Sequence, residues 1–201
     1  MHIRIDDQVT LRAFRPTDRA DLVAGINDWA VARWLAQVPY PYRLDHADEY
    51  LSRDEHIDIE AAMCDPDTGF AFALCFDDRV IGGLVSKPVT EDGDREIGFW
   101  LAHAFWGQRI MRRAVGNMIE EMMKHAPDIP ITASANHDNH RSQALILGLG
   151  FVEDGESEVM STPLQRMVRL CCFRRNQSPS HGNPPINKPP IKKPPATKDR
   201  G

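Results

Sequence analysis

The stretch FWGQRIMRRA, residues 105–114, places one glycine and three arginines at the start of a helical pattern. A helix N-terminus presents free backbone N–H groups and the positive end of the helix dipole, and both attract a phosphate. Turns that hold a phosphate usually carry several glycines so that the backbone can approach the anion, whereas here only Gly107 precedes Arg109. Two alternatives therefore stand at this turn: it holds a phosphate-bearing cofactor, or it has lost the ability to do so.

The hydrophobic pattern predicts the elements that would position this turn. Strand patterns cover 9–14, 69–76, 79–87, 95–102 and 130–135, and two closing strands follow residue 150. Helical patterns lie before the second strand, at 107–125 and after Asn139. This order predicts an α/β (α+β) fold, a single domain with a mixed central sheet of about six to seven strands and helices on both faces.

The same order predicts where a ligand would bind. Three antiparallel strands lead into the helix 107–125 and then into a parallel strand. Ligands of such sheets bind at the carboxyl ends of the parallel strands. Residues 99–102, the Gly107 turn and the loop 136–142 are therefore expected around one cleft.

Composition limits the class of protein. With 201 residues, of which 42% are hydrophobic, the chain can bury one core. The net charge of the chain is −5. Because basic residues are concentrated near the C-terminus, the rest of the chain has a net charge more negative than −5. An acidic body disfavours nucleic acid as a ligand and suits a cationic substrate such as an amine. Four cysteines without C-x-x-C spacing indicate a reduced cytoplasmic protein, and no apolar run is long enough for a membrane span.

Residues 176–201 differ in composition from the rest of the chain. They are rich in proline and lysine and contain few apolar residues, so they cannot bury enough surface to fold. We expect a folded domain at 1–175 and a disordered tail with polyproline-II character at 176–201. A solvated tail is the simpler interpretation, and a docking segment for a partner is the alternative.

Three stretches together resemble a known family. They are INDWAVARWLAQVPYPYRLDHADEYL, EIGFWLAHAFWGQRIMRRAV and NHRSQALILGLGFVEDG, in this order within residues 8–175. The chain resembles the GNAT superfamily of acyl-CoA N-acyltransferases, and within it the ribosomal-protein N-terminal acetyltransferases. The resemblance implies transfer of an acetyl group from acetyl-CoA to a primary amine, by direct attack in a ternary complex. The acceptor would be a protein N-terminal α-amine or a small-molecule amine.

The resemblance also assigns the cofactor-binding residues. The strand EIGFWLA would splay from its parallel neighbour, and the backbone of Phe99, Trp100 and Leu101 would hold the pantetheine arm and polarise the thioester carbonyl. The pyrophosphate turn would comprise Gly107, Gln108, Arg109, Ile110, Met111 and Arg112. The family pattern has a second glycine, a small residue and a hydroxyl residue where this chain has Arg109, Met111 and Arg112.

Two effects compete at this turn. A positive φ at Arg109 would cost about 1 kcal/mol, whereas the positive charges of Arg109, Arg112 and Arg113 each favour a diphosphate by roughly 1.5–3 kcal/mol when well placed. The balance favours retained binding. A degenerate acyl-CoA-binding or protein-interaction module without turnover is the alternative function, motivated by Arg109 and Met111.

Catalytic roles follow from the resemblance as well. Glu96 is the candidate general base, with a structural strand residue as the alternative. Asn139 would bind the pantetheine, and Ser142 would protonate the leaving thiolate; helix capping is their alternative role. His137 and His140 lack a third ligand at a suitable spacing, so no metal is expected.

The N-terminal helices would cover the acceptor side. Trp29, Trp34, Tyr40 and Tyr42 offer flat apolar walls and hydroxyl groups for a small-molecule or peptide amine, although a core position is the simpler interpretation for Trp34. The residues do not distinguish a monomer from a homodimer.

Overall fold

A computed structural model describes residues 2–52 and 59–175, so the predicted tail at 176–201 lies outside the described residues. The strands are β1 (His2–Arg4), β2 (Val9–Ala13), β3 (Phe70–Phe76), β4 (Arg79–Val89), β5 (Arg95–Leu101), β6 (Ile131–Asn136), β7 (Val152–Ser161) and β8 (Arg166–Arg175). The α-helices are α1 (Arg19–Ile26), α2 (Trp29–Ala32), α3 (Leu44–Leu51), α4 (Ile59–Cys64), α5 (Ile110–His125) and α6 (His140–Leu147).

The strands form one mixed sheet in the order β1-β2-β3-β4-β5-β6-β8-β7. Every neighbouring pair is antiparallel except β5 and β6, which are parallel. The predicted mixed sheet is confirmed, with eight strands in place of six to seven. The additional strand is β1, a three-residue edge strand that pairs with β2 and is too short to produce an alternating pattern.

Helices cover both faces of the sheet because the central strands carry apolar residues on both sides. In β3, Phe70, Phe72 and Leu74 pack in one core, whereas the small residues Ala71 and Ala73 pack in the other. The first core includes α5 and α6, and the second includes α1 and α3. The small side chains allow the N-terminal helices to approach the sheet closely.

The methionine stripe of α5 is part of the first core. Met111, Met118 and Met122 are 5%, 0% and 4% exposed, and they recur at the spacing of one helix face. This methionine stripe therefore belongs to the core. The helix begins at Ile110, three residues later than expected, because 107–109 form the turn that leads into it.

A buried ion pair anchors the N-terminal helices to the sheet. The guanidinium of Arg12 on β2 donates to both carboxylate oxygens of Asp18, at 2.8 and 2.9 Å, and both side chains are almost completely buried. Burial opposes the charged form of Arg12, but the hydrogen bonds with Asp18 and the negative charges of Asp18 and Asp78 together outweigh it, so the pKa of Arg12 is raised above its ordinary value.

Within residues 2–52 and 59–175, no helix is both long and apolar enough to cross a membrane.

Candidate active site

A notch between β5 and β6 forms the centre of the candidate site. The two strands pair only at Arg95↔Ile131, Glu96↔Thr132 and Ile97↔Ala133. Beyond these positions β5 continues along β4 as far as Leu101, and β6 continues along β8 as far as Asn136. The parallel strands therefore separate towards their carboxyl ends, which confirms the predicted splayed pair.

The direction of the backbone N–H and C=O groups decides which residues of β5 can hydrogen-bond to a ligand in this notch. The Arg95 N–H donates to the Pro130 carbonyl on the β6 side, whereas the Ala102 N–H donates to the Ile81 carbonyl on the β4 side. Because backbone groups of alternate residues point in opposite directions, Phe99 and Leu101 direct theirs into the notch.

The prediction that the Trp100 backbone holds the cofactor arm is wrong. Trp100 pairs with Gly83 of β4, and its carbonyl oxygen would lie 2.5 Å from a Cβ at Gly82, so its backbone groups face β4. Its ring packs against α1 and β4, where a Cβ at Gly25 or Gly83 would come within 2.8 or 2.6 Å of ring atoms. Trp100 therefore fixes α1 on the sheet.

The predicted phosphate turn has a left-handed backbone at two positions. Gly107 has φ +77° and Arg109 has φ +58° with ψ 12°, so both lie in the left-handed region. A Cβ at Gly107 would meet nothing within 4 Å, which leaves open space beside the turn. The side chains of Ile110 and Met111 are buried in the core, so only their backbone N–H groups can contribute to an anion site.

The three arginines of the turn have different partners. Arg112 donates to the Gly148 carbonyl at 2.7 Å and thereby caps the C-terminus of α6, and Arg113 pairs with Asp6 at 2.5 Å. Hydrogen bonds from the Gln8 backbone and the Arg113 guanidinium lower the pKa of Asp6. Two of the three positive charges are thus already engaged, and Arg109 is the arginine best placed for a phosphate. Gln108 is exposed, with a long 3.4 Å contact to the Ala104 carbonyl.

Arg109→Gly is expected to weaken acetyl-CoA binding about tenfold or more, since one charge-assisted hydrogen bond contributes roughly 1.5–3 kcal/mol. The left-handed conformation costs the folded protein about 1–2 kcal/mol with or without ligand. Arg109→Gly removes this cost, but glycine also has more conformational freedom in the unfolded chain, which destabilises the folded state by about 0.5–1 kcal/mol. The free energy of unfolding should therefore change by only about 1 kcal/mol or less. Calorimetric titration and urea unfolding measure the two quantities.

Arg113→Gln is the matched control, because it removes a positive charge of the same helical turn that is already paired with Asp6. Its affinity for acetyl-CoA should stay within about threefold of the wild-type value. If Arg109→Gly binds acetyl-CoA as tightly as this control, Arg109 is not a phosphate ligand.

Glu96 lies on β5 at the closed end of the notch. Its carboxylate accepts hydrogen bonds from Lys87 Nζ at 2.5 Å and from Ser134 Oγ at 3.2 Å. The side chain is 32% exposed and shares its sheet face with Trp100, the face on which α1 and α3 pack. Glu96 thus has structural partners and also an opening to solvent, so its role as a base stays a prediction.

Asn139 and Ser142 lie where the loop after β6 enters α6. Asn139 is the N-cap of α6, and its Oδ1 accepts the Ser142 backbone N–H at 3.3 Å. The Ser142 hydroxyl takes no part in this cap, so a proton-donating role is compatible with it. The sequence reasoning missed Gln143, whose Nε2 donates to the carbonyls of Asn136 and His137 at 3.0 and 2.8 Å and holds this loop.

The aromatic residues of the acceptor side separate into two groups. Trp29 and Tyr40 are 40% and 43% exposed, and their rings lie 4.9 Å apart. Tyr42 is only 5% exposed, its backbone exchanges two hydrogen bonds with the Asn27 side chain, and it contributes to the core. Tyr42 is therefore not a wall of an open site, whereas the exposed pair remains a candidate.

Trp34 is half-buried, with the Arg33 guanidinium 4.2 Å from its ring. Nearby, the Thr162 N–H donates to the Ala36 carbonyl, so the β7–β8 turn contacts the loop after α2. Within the described part of the chain, His, Cys, Asp and Glu side chains form no cluster that could hold a metal ion.

Comparison with known proteins agrees with this architecture. Residues 8–152 match the acetyltransferase (GNAT) domain family. The chain is 24% identical over 161 residues to YdaF of Bacillus subtilis strain 168, a candidate ribosomal N-acetyltransferase, and the match covers 77% of this chain and 83% of YdaF.

Two solved structures share the fold. The ribosomal-protein-S5-alanine acetyltransferase from Vibrio fischeri superposes with a TM-score of 0.71 at 18% identity, over 89% of this chain and 97% of that one. The ribosomal L7/L12 α-N-protein acetyltransferase RimL, in complex with coenzyme A, superposes with a TM-score of 0.71 at 16% identity, over 88% and 98%. Since the matched domain spans more than half of its length, this chain belongs to the GNAT acetyltransferase family and is an acyltransferase.

Proposed function

We propose that this protein transfers an acetyl group from acetyl-CoA to a primary amine by direct attack in a ternary complex. The preferred acceptor is the N-terminal α-amine of a protein, because the similar proteins include enzymes named for ribosomal proteins. A small-molecule amine is the alternative acceptor.

The divergence of β5 from β6 is the observation that carries this proposal. It leaves backbone groups of Phe99 and Leu101 directed into a notch that an extended ligand can enter as an added strand. The notch opens towards the Gly107 turn and the N-terminus of α5, where a phosphate is favoured. A ligand with an amide-containing arm and a diphosphate matches both parts.

The residues present fit acetyl-CoA. The space beside Gly107 is open and Gln108 and Arg109 are exposed next to it, which suits a diphosphate, and Asn139, the N-cap of α6, would bind the pantetheine. When bound, acetyl-CoA would supply the acyl group as an activated thioester. The remaining steps belong to residues of this chain.

Three groups of the chain perform the chemistry in this proposal. Glu96 accepts a proton from the acceptor amine, directly or through water, since only a neutral amine is nucleophilic. A backbone N–H of Phe99 or Leu101 stabilises the negative charge that develops on the carbonyl oxygen. The Ser142 hydroxyl donates a proton to the departing thiolate. The attacking nitrogen loses its second proton as the intermediate collapses, and this proton restores the hydroxyl through water, so the products are an acetamide and a free thiol.

An assay of thiol release tests the proposal. Acetyl-CoA would be incubated with the full chain and a panel of peptides that differ in their first residue, beside small amines. Calorimetry with acetyl-CoA tests binding separately. Release of thiol with a peptide and acetylation of its N-terminus support the proposal. Binding without turnover on any amine would favour the module that binds acyl-CoA without catalysis, and no binding at millimolar acetyl-CoA would refute the cofactor assignment.

Ser142→Ala is expected to lower kcat about tenfold, less than the roughly 10²–10⁴-fold that is usual for general acid catalysis. A thiol has a pKa of about 8.5 and leaves readily without full protonation. The Asn139 cap uses the Ser142 backbone N–H, so folding should be retained. Steady-state kinetics and thermal unfolding check both points, and an unchanged kcat would remove Ser142 from the reaction.

A further inference from the structure

We propose that the chain acetylates its own Lys87, so that this lysine is a site of self-modification. The inference rests on the proposed function, because it uses the same bound acetyl-CoA and the same base. It adds an acceptor that belongs to the chain itself. The Lys87 side chain ends in a primary amine, which is the functional group that the proposed reaction acetylates.

The amine of Lys87 lies where an external amine would have to bind. Lys87 Nζ donates to Glu96 Oε2 at 2.5 Å, so it already contacts the carboxylate that would accept the proton. The strand register explains this contact, because the neighbouring residues Ser86 on β4 and Ile97 on β5 are paired. The sheet therefore holds a primary amine of the chain at the closed end of the notch.

The thioester would approach this amine from the open end of the notch. The diphosphate is expected at the Gly107 turn, so the thioester, at the other end of the arm, lies nearest to the closed end. Lys87 is 54% exposed and has a flexible four-carbon stem, so its Nζ can leave the ion pair and move along the strand. The next position of β5 on the sheet face of Glu96 is Gly98, so no β5 side chain stands in the way.

The step needs no reagent besides acetyl-CoA. Glu96 takes a proton from the Lys87 ammonium and later passes it to solvent, and the freed electron pair of the nitrogen bonds to the thioester carbonyl carbon. The carbon–sulfur bond breaks, and the Ser142 hydroxyl protonates the thiolate. The nitrogen loses its second proton, which restores the hydroxyl through water. The products are acetyl-lysine and CoA, and the modified side chain no longer carries the charge that pairs with Glu96.

Lys124 is the matched internal control. It is the only other lysine within residues 1–175. Its side chain is 65% exposed, and its Nζ also pairs with a glutamate, Glu121 of α5. Slow acetylation by acetyl-CoA in solution, without catalysis, would affect both amines to a similar extent. A preference for Lys87 therefore reports the reaction in the notch.

The experiment incubates the full chain with acetyl-CoA and no acceptor, and peptide mass spectrometry follows acetylation at each lysine. We expect Lys87 to react about tenfold or more faster than Lys124, because its amine is held beside the base. Glu96→Gln should lower the rate at Lys87 to about that at Lys124. Excess CoA, which competes for the notch, should have the same effect on the wild type. The rate per molecule should not depend on protein concentration, because the reaction occurs within one chain.

Three results would overturn the proposal. They are equal rates at Lys87 and Lys124, a Lys87 rate that Glu96→Gln leaves unchanged, and a rate per molecule that rises with protein concentration. The proposed function survives any of them if the same preparation acetylates a peptide of the acceptor panel. If calorimetry shows that the wild type does not bind acetyl-CoA, the proposed function fails, and self-acetylation fails with it.

Discussion

Glu96→Gln is expected to lower kcat for acetyl transfer by about 10²–10³-fold, the usual contribution of a general base. Glutamine has nearly the same shape and can still accept the hydrogen bond from Ser134, but it cannot take a proton from the amine. The KM for acetyl-CoA should change little, because the carboxylate lies on the opposite sheet face from the side chains of Phe99 and Leu101. Steady-state kinetics with the best peptide of the acceptor panel measures both parameters.

Glu91→Gln is the matched control, because it makes the same change in charge at an exposed residue of the β4–β5 turn. Calorimetry with acetyl-CoA should show that both variants still bind the cofactor. If the kcat of Glu96→Gln lies within about threefold of the control, the decrease is too small for the loss of a general base. It would leave the ion pair with Lys87 as the role of Glu96.

Asp18→Asn is expected to reduce the free energy of unfolding by about 3–5 kcal/mol, because it leaves the buried Arg12 charge without its bidentate partner. The side chains are 5% and 6% exposed, so water cannot replace the lost carboxylate. For a chain of this length the melting temperature should fall by roughly 10 °C. Urea unfolding and thermal melting followed by circular dichroism measure these changes.

Asp78→Asn provides the comparison. Asp78 also contacts Arg12, but its side chain is 70% exposed, so its loss should destabilise the protein far less. Its backbone has φ +66°, a conformation that asparagine adopts as readily as aspartate, so the substitution adds no strain. Equal unfolding free energies for Asp18→Asn and Asp78→Asn would show that burial does not determine the strength of the Arg12 pair.

Local patterns in the chain predict the elements and their order well. The paired apolar positions of α5 follow from helical periodicity, and the alternation in β5 follows from strand periodicity. The Gly107 turn also depends on neighbouring residues alone, and so does the Asn139 cap. The order of the elements then leaves few topologies, because β5–α5–β6 requires a crossover between parallel strands.

The roles of several side chains depend on contacts between distant segments of the chain, and local sequence patterns do not predict these contacts. Arg112 appears next to a phosphate turn in the sequence, yet its guanidinium binds the Gly148 carbonyl 36 residues later. Tyr42 resembles Tyr40 in its local sequence, yet Asn27 holds it in the core. No local signal marks Gln143, because its partners are backbone carbonyls that become neighbours of its side chain only after the chain has folded.

The sequence by itself determined the fold class, the place of a cleft at the end of β5 and the tight turn at Gly107, because these depend on periodicity, element order and the conformational preferences of adjacent residues. Only the tertiary structure decided which groups face the notch. The separation of β5 from β6, the direction of the Trp100 backbone and the pairing of Arg112 and Arg113 each depend on residues far away in the chain. Long-range packing and hydrogen bonding set these orientations, and a single sequence carries no local record of them.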